Sequence, residues 1–396
     1  MGNETVLITG ATGFVGGRLV ERLALGTDYQ VKAMVRTFSG PGLARIARLP
    51  VELVLADLLD TESLIRAARS CDVVVHCAYG SSGGKTLRKE VTVSGTENVL
   101  DAALRTGVRK VIHLSSSAVH GRAPRGPVVD ESAPFTDSHD LYSTSKIEAE
   151  KIVWRFQQEH GLPVIVFRPT IIYGPYGRMW TTRIVQEIQS GAILVNGGSG
   201  AANLVYVDNL VDAILLAMQK DTGDGEAFIL VDDEQLSWQD VYKGYADIIN
   251  ACPPLRGLSV QEIEAQRKAE KPSAFDQWVG GPWKIAWELS RYALQPPEAR
   301  RRIRQIPWMR LVTRLVPERI KDRIRSGDGG SRTALADTPR SRSLRLPGKE
   351  TVELYAAQSR FSNEKAKKIL GYTQHVPFDE AMRLTSSWLR YQRLIP

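Results

Sequence analysis

Cysteine is scarce in this sequence. The 396 residues include only three, Cys71, Cys77 and Cys252, which show neither a paired spacing nor the spacing of metal ligands. This excludes a disulfide framework and a cysteine-based metal site. We therefore expect reduced thiols in a reducing compartment, and no bound metal.

Long apolar runs are missing as well. A typical apolar stretch, residues 213–218, is far shorter than the ~18 residues needed to span a bilayer. The first strand pattern begins near Glu4, which leaves no room for a signal peptide. These absences predict a cytoplasmic protein.

Acidic residues are few in one segment rather than along the whole chain. The formal net charge is +8, yet residues 283–345 alone carry 16 Lys or Arg against 6 Asp or Glu. The remainder is therefore weakly acidic. Because the basicity is confined to one segment, a general nucleic-acid-binding function loses its main support, and we expect no nucleic-acid partner.

What the sequence does contain is a regular alternation of strand-like and helix-like segments. Helical spacing covers residues 14–25, 94–104 and 143–158. Short β-rich runs lie at residues 5–9, 31–35, 51–56, 72–77, 110–115 and 163–167. This alternation predicts an α/β fold built on a doubly wound parallel sheet, the Rossmann architecture, and the continuous apolar strands indicate helices on both faces.

The second half of the chain predicts a smaller C-terminal substrate lobe. We assign residues 1–175 to a dinucleotide-binding domain and residues 176–396 mainly to this lobe, including a basic Trp/Arg-rich insertion at about 253–345. A Ser/Arg/Gly-rich stretch at 327–347 predicts a loop. Further helices and one strand are expected at 181–189, 209–219 with Asp208 as N-cap, 228–231 (the strand), 362–370 and 378–394.

Three glycines near the N-terminus, Gly10, Gly13 and Gly16, lie at G-x-x-G-x-x-G spacing between the first strand and the first helix. The first permits a tight turn, the second lets the backbone approach a pyrophosphate, and the third lets the helix pack closely on the sheet. The helix N-terminus adds unpaired N–H groups and a partial positive charge. In this strand–turn–helix context the glycines predict a dinucleotide site.

Two polar residues at strand ends bear on which dinucleotide binds. Arg36 ends the second strand, where NAD-selective folds place an acid for the ribose 2′-hydroxyl. An arginine there favours the 2′-phosphate of NADP. Asp57 follows the third strand and has two interpretations, an adenine contact or the N-cap of a helix that begins near Thr61. We expect NADP, with NAD as the alternative.

Tyr142 and Lys146 are spaced i, i+4 at the start of a predicted helix, so both side chains lie on one face. A nearby ammonium lowers the pKa of a phenol, which suits a group that must move a proton when a hydride reaches or leaves carbon. Upstream, Ser115, Ser116 and Ser117 end a strand at the edge where ligands bind in open α/β sheets. A hydroxyl there is placed to hold a substrate oxygen, and the alternative interpretation is a serine-rich strand end that only caps or turns the chain.

These elements, in this order, resemble the extended short-chain dehydrogenase/reductase family, in particular its epimerase/dehydratase and 3β-hydroxysteroid dehydrogenase group. The chain also matches the family's R-P-x-x-x-Y-G-P at 168–175 and its V-D-[DN] at 207–209. The resemblance covers about residues 4–250 and returns at 361–389. It implies catalysis by Ser116, Tyr142 and Lys146, with Ser117 as the alternative hydroxyl.

The resemblance also implies a homodimer, through helices such as those at 94–104 and 143–158, and a set of cofactor contacts. Besides Tyr142 and Lys146, the residues implied to contact the cofactor are Gly10, Thr12, Gly13, Phe14, Val15, Gly16, Arg36, Asp57, Leu58, Ala78, Pro169 and Thr170.

Departures from the family pattern narrow the function. Dehydratases of the family carry Asp-Glu after the active hydroxyl, whereas Ser117 and Ala118 follow Ser116 here. This argues against a sugar 4,6-dehydratase. His120 stands where the family usually has Tyr, and we interpret it as packing or polar support.

A second departure concerns the substrate. Sugar-nucleotide members often carry an Arg shortly before the V-D-D segment to bind the diphosphate, and residues 200–205 lack one. Arg178, Arg183 or a later Arg could substitute for it. Asn209, at the third position of the V-D-[DN] segment, is more similar to what the hydroxysteroid dehydrogenase branch of the family has there.

Three functions therefore stay open. The first is an oxidoreductase acting on a ketone or secondary alcohol. The second is a nucleotide-sugar epimerase, in which the hydride leaves and returns on the other face and the bound cofactor is not consumed. The third is a dinucleotide-binding scaffold without catalysis, since fold alone does not imply activity. The intact Ser, Tyr and Lys argue against the third function, and the first two functions use the same three residues.

The basic insertion has three interpretations of its own, one of which is that one of its arginines binds a diphosphate. Its residues 283–325 could contact an anionic membrane, with tryptophans at headgroup level and arginines on the lipid phosphates. Alternatively, the segment is a substrate lid that packs on the sheet by its tryptophans and leaves its arginines in water. We favour the lid, because an amphipathic helix normally faces a core.

Overall fold

The computed structural model describes residues 4–137, 140–250, 255–269 and 346–395. The chain divides into two compact units, Met1–Val260 together with Leu344–Pro396, and Gln261–Ser343. The candidate catalytic and cofactor-binding residues all belong to the first unit.

Strands and helices alternate through the first half of the chain. In chain order, the strands along the described residues are β1 (Thr5–Thr9), β2 (Gln30–Val35), β3 (Glu52–Leu55), β4 (Val73–His76), β5 (Lys110–Leu114), β6 (Val128–Val129), β7 (Val164–Pro169), β8 (Ile171–Tyr173), β9 (Ile193–Val195), β10 (Ala201–Ala202), β11 (Leu204–Tyr206), β12 (Glu226–Leu230), β13 (Leu236–Ser237), β14 (Arg256–Leu258) and β15 (Arg360–Phe361). The helices are α1 (Phe14–Gly26), α2 (Pro41–Ile46), α3 (Thr61–Ala68), α4 (Lys85–Thr106), α5 (Leu141–His160), α6 (Arg183–Ser190), α7 (Val207–Gln219), α8 (Trp238–Ile248), α9 (Val260–Ala269), α10 (Lys349–Ala356), α11 (Glu364–Leu370) and α12 (Phe378–Tyr391).

Seven strands form one wholly parallel sheet in the order β3-β2-β1-β4-β5-β7-β12. The order reverses between β1 and β4, which is the switch point where open α/β sheets bind ligands at the carboxyl ends of their strands. The doubly wound α/β fold predicted from the sequence is confirmed. Short two-stranded pairings such as β8 with β11 and β10 with β13 lie outside this sheet.

Alternate strand residues enter two different apolar cores. Val73 and Val75 of β4 pack in a cluster with residues of α1 and α7, whereas Val74 packs in a second cluster with residues of α3, α4 and α5. All four residues of β4 are buried. Burial on both faces explains why these strands are continuous apolar runs rather than alternating ones.

The chain returns to the main sheet after residue 175. Strand β12 pairs with β7, and α7 contributes to the same apolar core as α1. The boundary at residue 175 and the substrate-binding role of the residues beyond it stay predictions.

Asp208 does not cap α7, contrary to the prediction. The helix begins at Val207, and the extended residue before it is Tyr206. The Asp208 carboxylate instead accepts hydrogen bonds from the Arg18 guanidinium, at 2.5 Å from Nε and 3.1 Å from Nη2. A charged partner on α1, far away in the sequence, therefore determines the role of this carboxylate, and the ion pair ties α7 to the helix that follows the glycine turn.

The other predicted elements are present, with differences at their ends. Helix α4 starts at Lys85, well before the predicted residue 94. Residues 181–189, predicted as one helix, belong to two elements. A π-helical turn covers Arg178–Thr182, and α6 follows it. Most of the predicted insertion, including its basic segment at 283–325 and nearly all of the loop at 327–347, lies outside the described residues.

Within the described residues, no helix combines the length and the apolar character needed to cross a membrane.

Candidate active site

The turn between β1 and α1 leaves no room for side chains. Gly10 has a left-handed φ of +68°, and a Cβ built on it would lie 2.8 Å from the backbone N of Ala78. A Cβ on Gly16 would lie 2.3 Å from the carbonyl O of Gly10. Both approaches are shorter than van der Waals contact, so only glycine permits this turn and the close packing of α1 on it.

The N-terminus of α1 is open toward the turn. Gly13 is its N-cap, and neither a capping side chain nor an acidic residue occupies its first turn. Thr12 and Gly13 are exposed, Phe14 is half-buried and Val15 is buried. Unpaired backbone N–H groups and the positive end of the helix dipole suit a pyrophosphate. The residues present therefore fit a bound dinucleotide.

The residues predicted to contact the rest of the dinucleotide follow neighbouring strands. Arg36, Asp57 and Ala78 come after β2, β3 and β4, which lie beside β1 or one strand further out. Arg36 is exposed, and next to it the hydroxyls of Thr37 and Ser39 are 3.1 Å apart. All three residues thus lie along the same edge of the sheet as the glycine turn.

Asp57 does not cap α3. The N-cap is Asp60, whose Oδ1 accepts a hydrogen bond from the backbone N of Ser63 at 3.1 Å. Asp57 uses one carboxylate oxygen to accept the N–H of Leu59 at 2.9 Å, and Leu58 beside it is buried. Of the two interpretations of Asp57, the cap is therefore wrong, and the adenine contact stays a prediction.

Asp140 fixes the start of α5. Its Oδ1 accepts hydrogen bonds from the backbone N of Tyr142 and of Ser143, both at 3.0 Å, and its Oδ2 lies 3.2 Å from Nη2 of Arg122. This cap satisfies two of the N–H groups that a helix end leaves unpaired. The phenol of Tyr142 therefore stands in the first turn of α5, and Lys146 follows one turn later.

The hydroxyl that meets the phenol of Tyr142 is that of Ser116. The two side chains interact, since the Ser116 hydroxyl lowers the pKa of the phenol, and Oγ of Ser116 also accepts the backbone N–H of Ala118 at 3.2 Å. Lys146 is buried and donates from Nζ to the carbonyl O of Leu114 at 2.7 Å. The three residues implied to be catalytic thus gather where β5 ends, at the edge that also carries the glycine turn.

Burial controls the ionisation of this group more than its internal charges do. Desolvation raises the pKa of Tyr142 to about 12, although the nearby Ser116 hydroxyl lowers it. Desolvation also lowers the pKa of Lys146 to about 8. The sequence led us to expect Lys146 to depress the pKa of the phenol, and in this structure the desolvation of Tyr142 outweighs any such effect. The phenol is consequently neutral at pH 7.

Tyr79 is a neighbour of the catalytic pair that the sequence analysis missed. It follows β4, and its ring meets the ring of Tyr142 edge-on with the centroids 5.9 Å apart. The Nζ of Lys146 lies 5.5 Å from the centroid of the same ring. Tyr79 is 44% exposed, so its ring borders the approach to Tyr142. An aromatic residue directly after the strand end was the available signal.

A buried ion pair lies behind the catalytic groups. The Glu150 carboxylate, one turn beyond Lys146 on α5, is 2.5 Å from Nη2 of Arg168 on β7, and both side chains are buried. It also accepts the hydroxyl of Ser115 at 2.6 Å and the indole N–H of Trp154 at 3.1 Å. Every partner is a hydrogen-bond donor, which is what a buried carboxylate requires.

His120 completes this network. Its Nε2 lies 3.2 Å from Nη1 of Arg168, and its Nδ1 lies 3.3 Å from the carbonyl O of Pro134. Because a guanidinium can only donate, Nε2 accepts and Nδ1 carries the proton. Burial and the Arg168 charge lower the pKa of His120, which keeps the ring neutral. The interpretation of His120 as polar support is confirmed.

Pro169 and Thr170 lie at the end of β7, beside β5 in the sheet. Thr170 binds the neighbouring strand, since its backbone N and its Oγ1 both donate to the carbonyl O of Leu230, at 2.9 and 3.0 Å. Their predicted contacts with the nicotinamide stay predictions. Within the described part of the chain, no group of His, Cys, Asp or Glu side chains could hold a metal ion.

The loop where sugar-nucleotide enzymes often carry an arginine is filled by protein. A Cβ on Gly200 would lie 1.9 Å from the carbonyl O of Tyr355, and Ala202 is buried. The Tyr355 ring stacks on Trp238 with the centroids 3.9 Å apart. Arg183, one of the possible substitutes, donates from Nε to Glu187 at 2.7 Å. Arg178 is exposed.

Comparisons with known proteins agree on one family. The model of the NAD dependent epimerase/dehydratase family matches residues 6–230. A UDP-glucose 4-epimerase of Vibrio cholerae is 30% identical over 257 residues, which cover 61% of this chain and 75% of the relative. A 3 beta-hydroxysteroid dehydrogenase/Delta-isomerase of Mycobacterium tuberculosis is 29% identical over 263 residues, 62% of this chain and 69% of the relative.

Solved structures show the same fold. The crystal structure of a UDP-glucose 4-epimerase from Thermotoga maritima with UDP-glucose superposes with a TM-score of 0.65 at 19% identity, and the match covers 98% of this chain and 99% of that one. At this level of identity the similarity concerns the architecture alone.

The tight glycine turn predicts a selective loss of dinucleotide binding on Gly16→Ala. The added methyl would lie 2.3 Å from the Gly10 carbonyl O and would push α1 away from the turn. We expect at least a 10-fold weaker affinity for NADPH and NADH, measured by calorimetry. Gly26→Ala is the matched control at the other end of α1, where a Cβ meets nothing within 4 Å. Equal affinities in the two variants would show that the turn does not hold the dinucleotide.

The buried network predicts an unusually large stability effect at Glu150. Glu150→Ala leaves the Arg168 guanidinium buried without its carboxylate, and we expect a loss of about 3–5 kcal/mol in the free energy of unfolding, measured with urea. Glu148→Ala, on the same helix, removes only an exposed pair with Lys89 and should cost about 1 kcal/mol or less. Similar losses in both variants would contradict the role given to the network.

Proposed function

Because the chain belongs to the NAD dependent epimerase/dehydratase family, we propose that it is an NADP-dependent oxidoreductase that transfers a hydride between the nicotinamide and a substrate carbon bearing a ketone or secondary alcohol. The family model spans residues 6–230, which include the glycine turn and the Tyr-Lys helix. The observation that carries the proposal is that the Ser116 hydroxyl and the Tyr142 phenol interact at the end of β5, with Lys146 one turn along α5 and hydrogen-bonded to the carbonyl O of Leu114.

The bound nicotinamide would supply the hydride, and the chain's own residues would handle the substrate oxygen. Ser116 donates a hydrogen bond to that oxygen, and Tyr142 moves a proton at its Oη. Burial raises the pKa of Tyr142 to about 12, so the phenol carries at neutral pH the proton that reduction of a ketone consumes. This state suits reduction of a ketone.

Lys146 has a positioning role in this proposal. One N–H of its ammonium donates to the carbonyl O of Leu114, which aims the side chain along the strand end. The remaining N–H groups would hold the nicotinamide ribose beside Tyr142. The Asp140 cap and the Glu150 network keep the helix and the strand end in register, so that the oxygen-binding groups need little rearrangement.

NADP rather than NAD is proposed because of Arg36. This exposed guanidinium follows β2, beside the Thr37 and Ser39 hydroxyls, and so groups a cation with two hydrogen-bonding groups. A 2′-phosphate takes such donors, whereas a 2′-hydroxyl needs an acceptor. NAD is the alternative, since the crystal structures of some proteins of the same fold contain it.

A nucleotide-sugar epimerase is the second candidate, and the 30% identity with a protein of that activity favours it. The same Ser116, Tyr142 and Lys146 would serve it. Binding of the substrate's diphosphate is less well supported. The loop at Gly200 is packed against Tyr355, and the Arg183 guanidinium is hydrogen-bonded to Glu187. A small-molecule ketone or alcohol therefore remains the better supported substrate.

Three predictions concern the assembly and the cellular location of the enzyme. A homodimer, a cytoplasmic location and peripheral membrane contact through residues 283–325 stay predictions, and that segment lies outside the described residues.

The direct test is turnover of reduced cofactor by the wild type and Tyr142→Phe, with a panel of ketones and nucleotide sugars. We expect ketone-dependent loss of nicotinamide absorbance with NADPH and less with NADH. Tyr142→Phe should lower kcat by about 100-fold or more, since it removes the proton donor. Tyr391→Phe, an exposed control, should match the wild type. Isomerisation of a nucleotide sugar without consumption of NADPH would establish the epimerase instead, and equal rates for wild type and Tyr142→Phe would contradict the proposed site.

A further inference from the structure

A small recess adjoins Tyr142 on the side of α4. It measures about 10 Å³ and is lined, besides Tyr142 itself, by Tyr79, Gly80, Arg88, Thr92, Leu141 and Ser145. A space of this size holds one water molecule or one oxygen atom of a larger group. Arg88 and Tyr142 therefore both line a space that has room for a single oxygen atom.

The backbone around Arg88 is fixed by a closed ring of hydrogen bonds. The Arg88 Nε donates to the carbonyl O of Gly80 at 3.1 Å, the backbone N of Gly80 donates to Oγ1 of Thr92 at 3.0 Å, and that hydroxyl donates to the carbonyl O of Arg88 at 2.8 Å. Gly80 is packed so tightly that a Cβ on it would lie 2.1 Å from the same Arg88 oxygen. The Nε edge of the guanidinium is thus held, which orients its two terminal nitrogens.

The charge of Arg88 is not neutralised within the described part of the chain. Its terminal nitrogens have neither a carboxylate partner nor another hydrogen bond there, although the side chain is half-buried. The other arginines near the catalytic groups differ, since Arg122 pairs with Asp140 and Arg168 pairs with Glu150. A guanidinium stays charged at any relevant pH and matches the planar fork of a carboxylate or a phosphate.

We propose that Arg88 forms a substrate subsite, which binds an anionic group, a carboxylate or a phosphate, on the molecule whose carbonyl oxygen Tyr142 serves. The subsite rests on the proposed function and narrows its substrate class to acidic ketones and alcohols. Tyr79 adds an aromatic ring on one side of the recess, and Leu141 adds an apolar side chain. The anion would therefore be attached to an apolar or planar body rather than to a free sugar.

The first arm of the test measures binding without turnover. Calorimetry on the protein saturated with NADP⁺ would compare benzoate, phenyl phosphate and the neutral benzyl alcohol. Charge-assisted hydrogen bonds to a guanidinium contribute enough to affinity that Arg88→Met should weaken binding of the preferred anion by about 10-fold or more. Benzyl alcohol should be unaffected. The anion affinity of Arg88→Lys should lie between those of the wild type and Arg88→Met, since lysine keeps the charge and lacks the planar fork of the guanidinium.

Arg105→Met is the matched control, because Arg105 lies near the other end of α4 and its side chain is 51% exposed. It should bind every probe like the wild type. Whichever of benzoate and phenyl phosphate binds more tightly identifies the natural anionic group as a carboxylate or a phosphate. An unchanged melting temperature and NADPH affinity in Arg88→Met would separate the subsite from a purely structural role of the Gly80 hydrogen bond.

The second arm measures reduction of 4-acetylbenzoate and of its neutral methyl ester by NADPH. Arg88→Met should raise KM about 10-fold for the acid alone and leave kcat unchanged, because the guanidinium holds the substrate and does not take part in proton transfer. If the wild type binds the anions through Arg88 but reduces neither compound, nor any other ketone, the subsite stands and the reductase proposal fails. Equal anion affinity in wild type and Arg88→Met, or no anion binding by the wild type, would overturn the subsite.

Discussion

The buried carboxylate of Glu150 holds together the three elements on which the site depends. It lies on α5, which carries Tyr142 and Lys146, and it binds Ser115 at the end of β5 and Arg168 at the end of β7. A charge without water must be surrounded by donors, so these elements cannot shift separately without leaving a buried ion unpaired. This explains why Ser116, next to Ser115, meets the phenol of Tyr142 at a fixed place.

The glycine turn and the candidate catalytic groups lie at the same edge of the sheet. Parallel strands end side by side, so the glycine turn after β1 and the serines after β5 open into one crevice on opposite sides of β4. The turn needs open backbone and the catalytic groups need burial. Burial keeps the Tyr142 phenol protonated and lowers the pKa of Lys146 to about 8. The Tyr142 phenol therefore holds its proton at neutral pH.

Much of this arrangement could be predicted, because it depends on short spacings. The glycines, the i, i+4 pair of Tyr142 and Lys146, and the apolar strands each show their structural role within a few residues of sequence. Pairings across long separations could not be predicted. Asp208 binds Arg18 rather than capping its own helix, and Glu150 finds Arg168 only when α5 packs beside β7. The place of Arg88 could not be predicted either, because nothing in its neighbours along the chain shows that it lines the recess beside Tyr142.

The central claim is that a hydride passes from the nicotinamide to a substrate carbon at the site of Ser116 and Tyr142. The most direct measurement uses NADPH deuterated at the transferable position of the nicotinamide, followed by mass spectrometry of the product. We predict one deuterium per product molecule, bound to the carbon that carries the new hydroxyl, and about a hundredth as much labelled product or less with Tyr142→Phe over the same time. Product without deuterium, or an isomerised substrate with the label still on the cofactor, would contradict it.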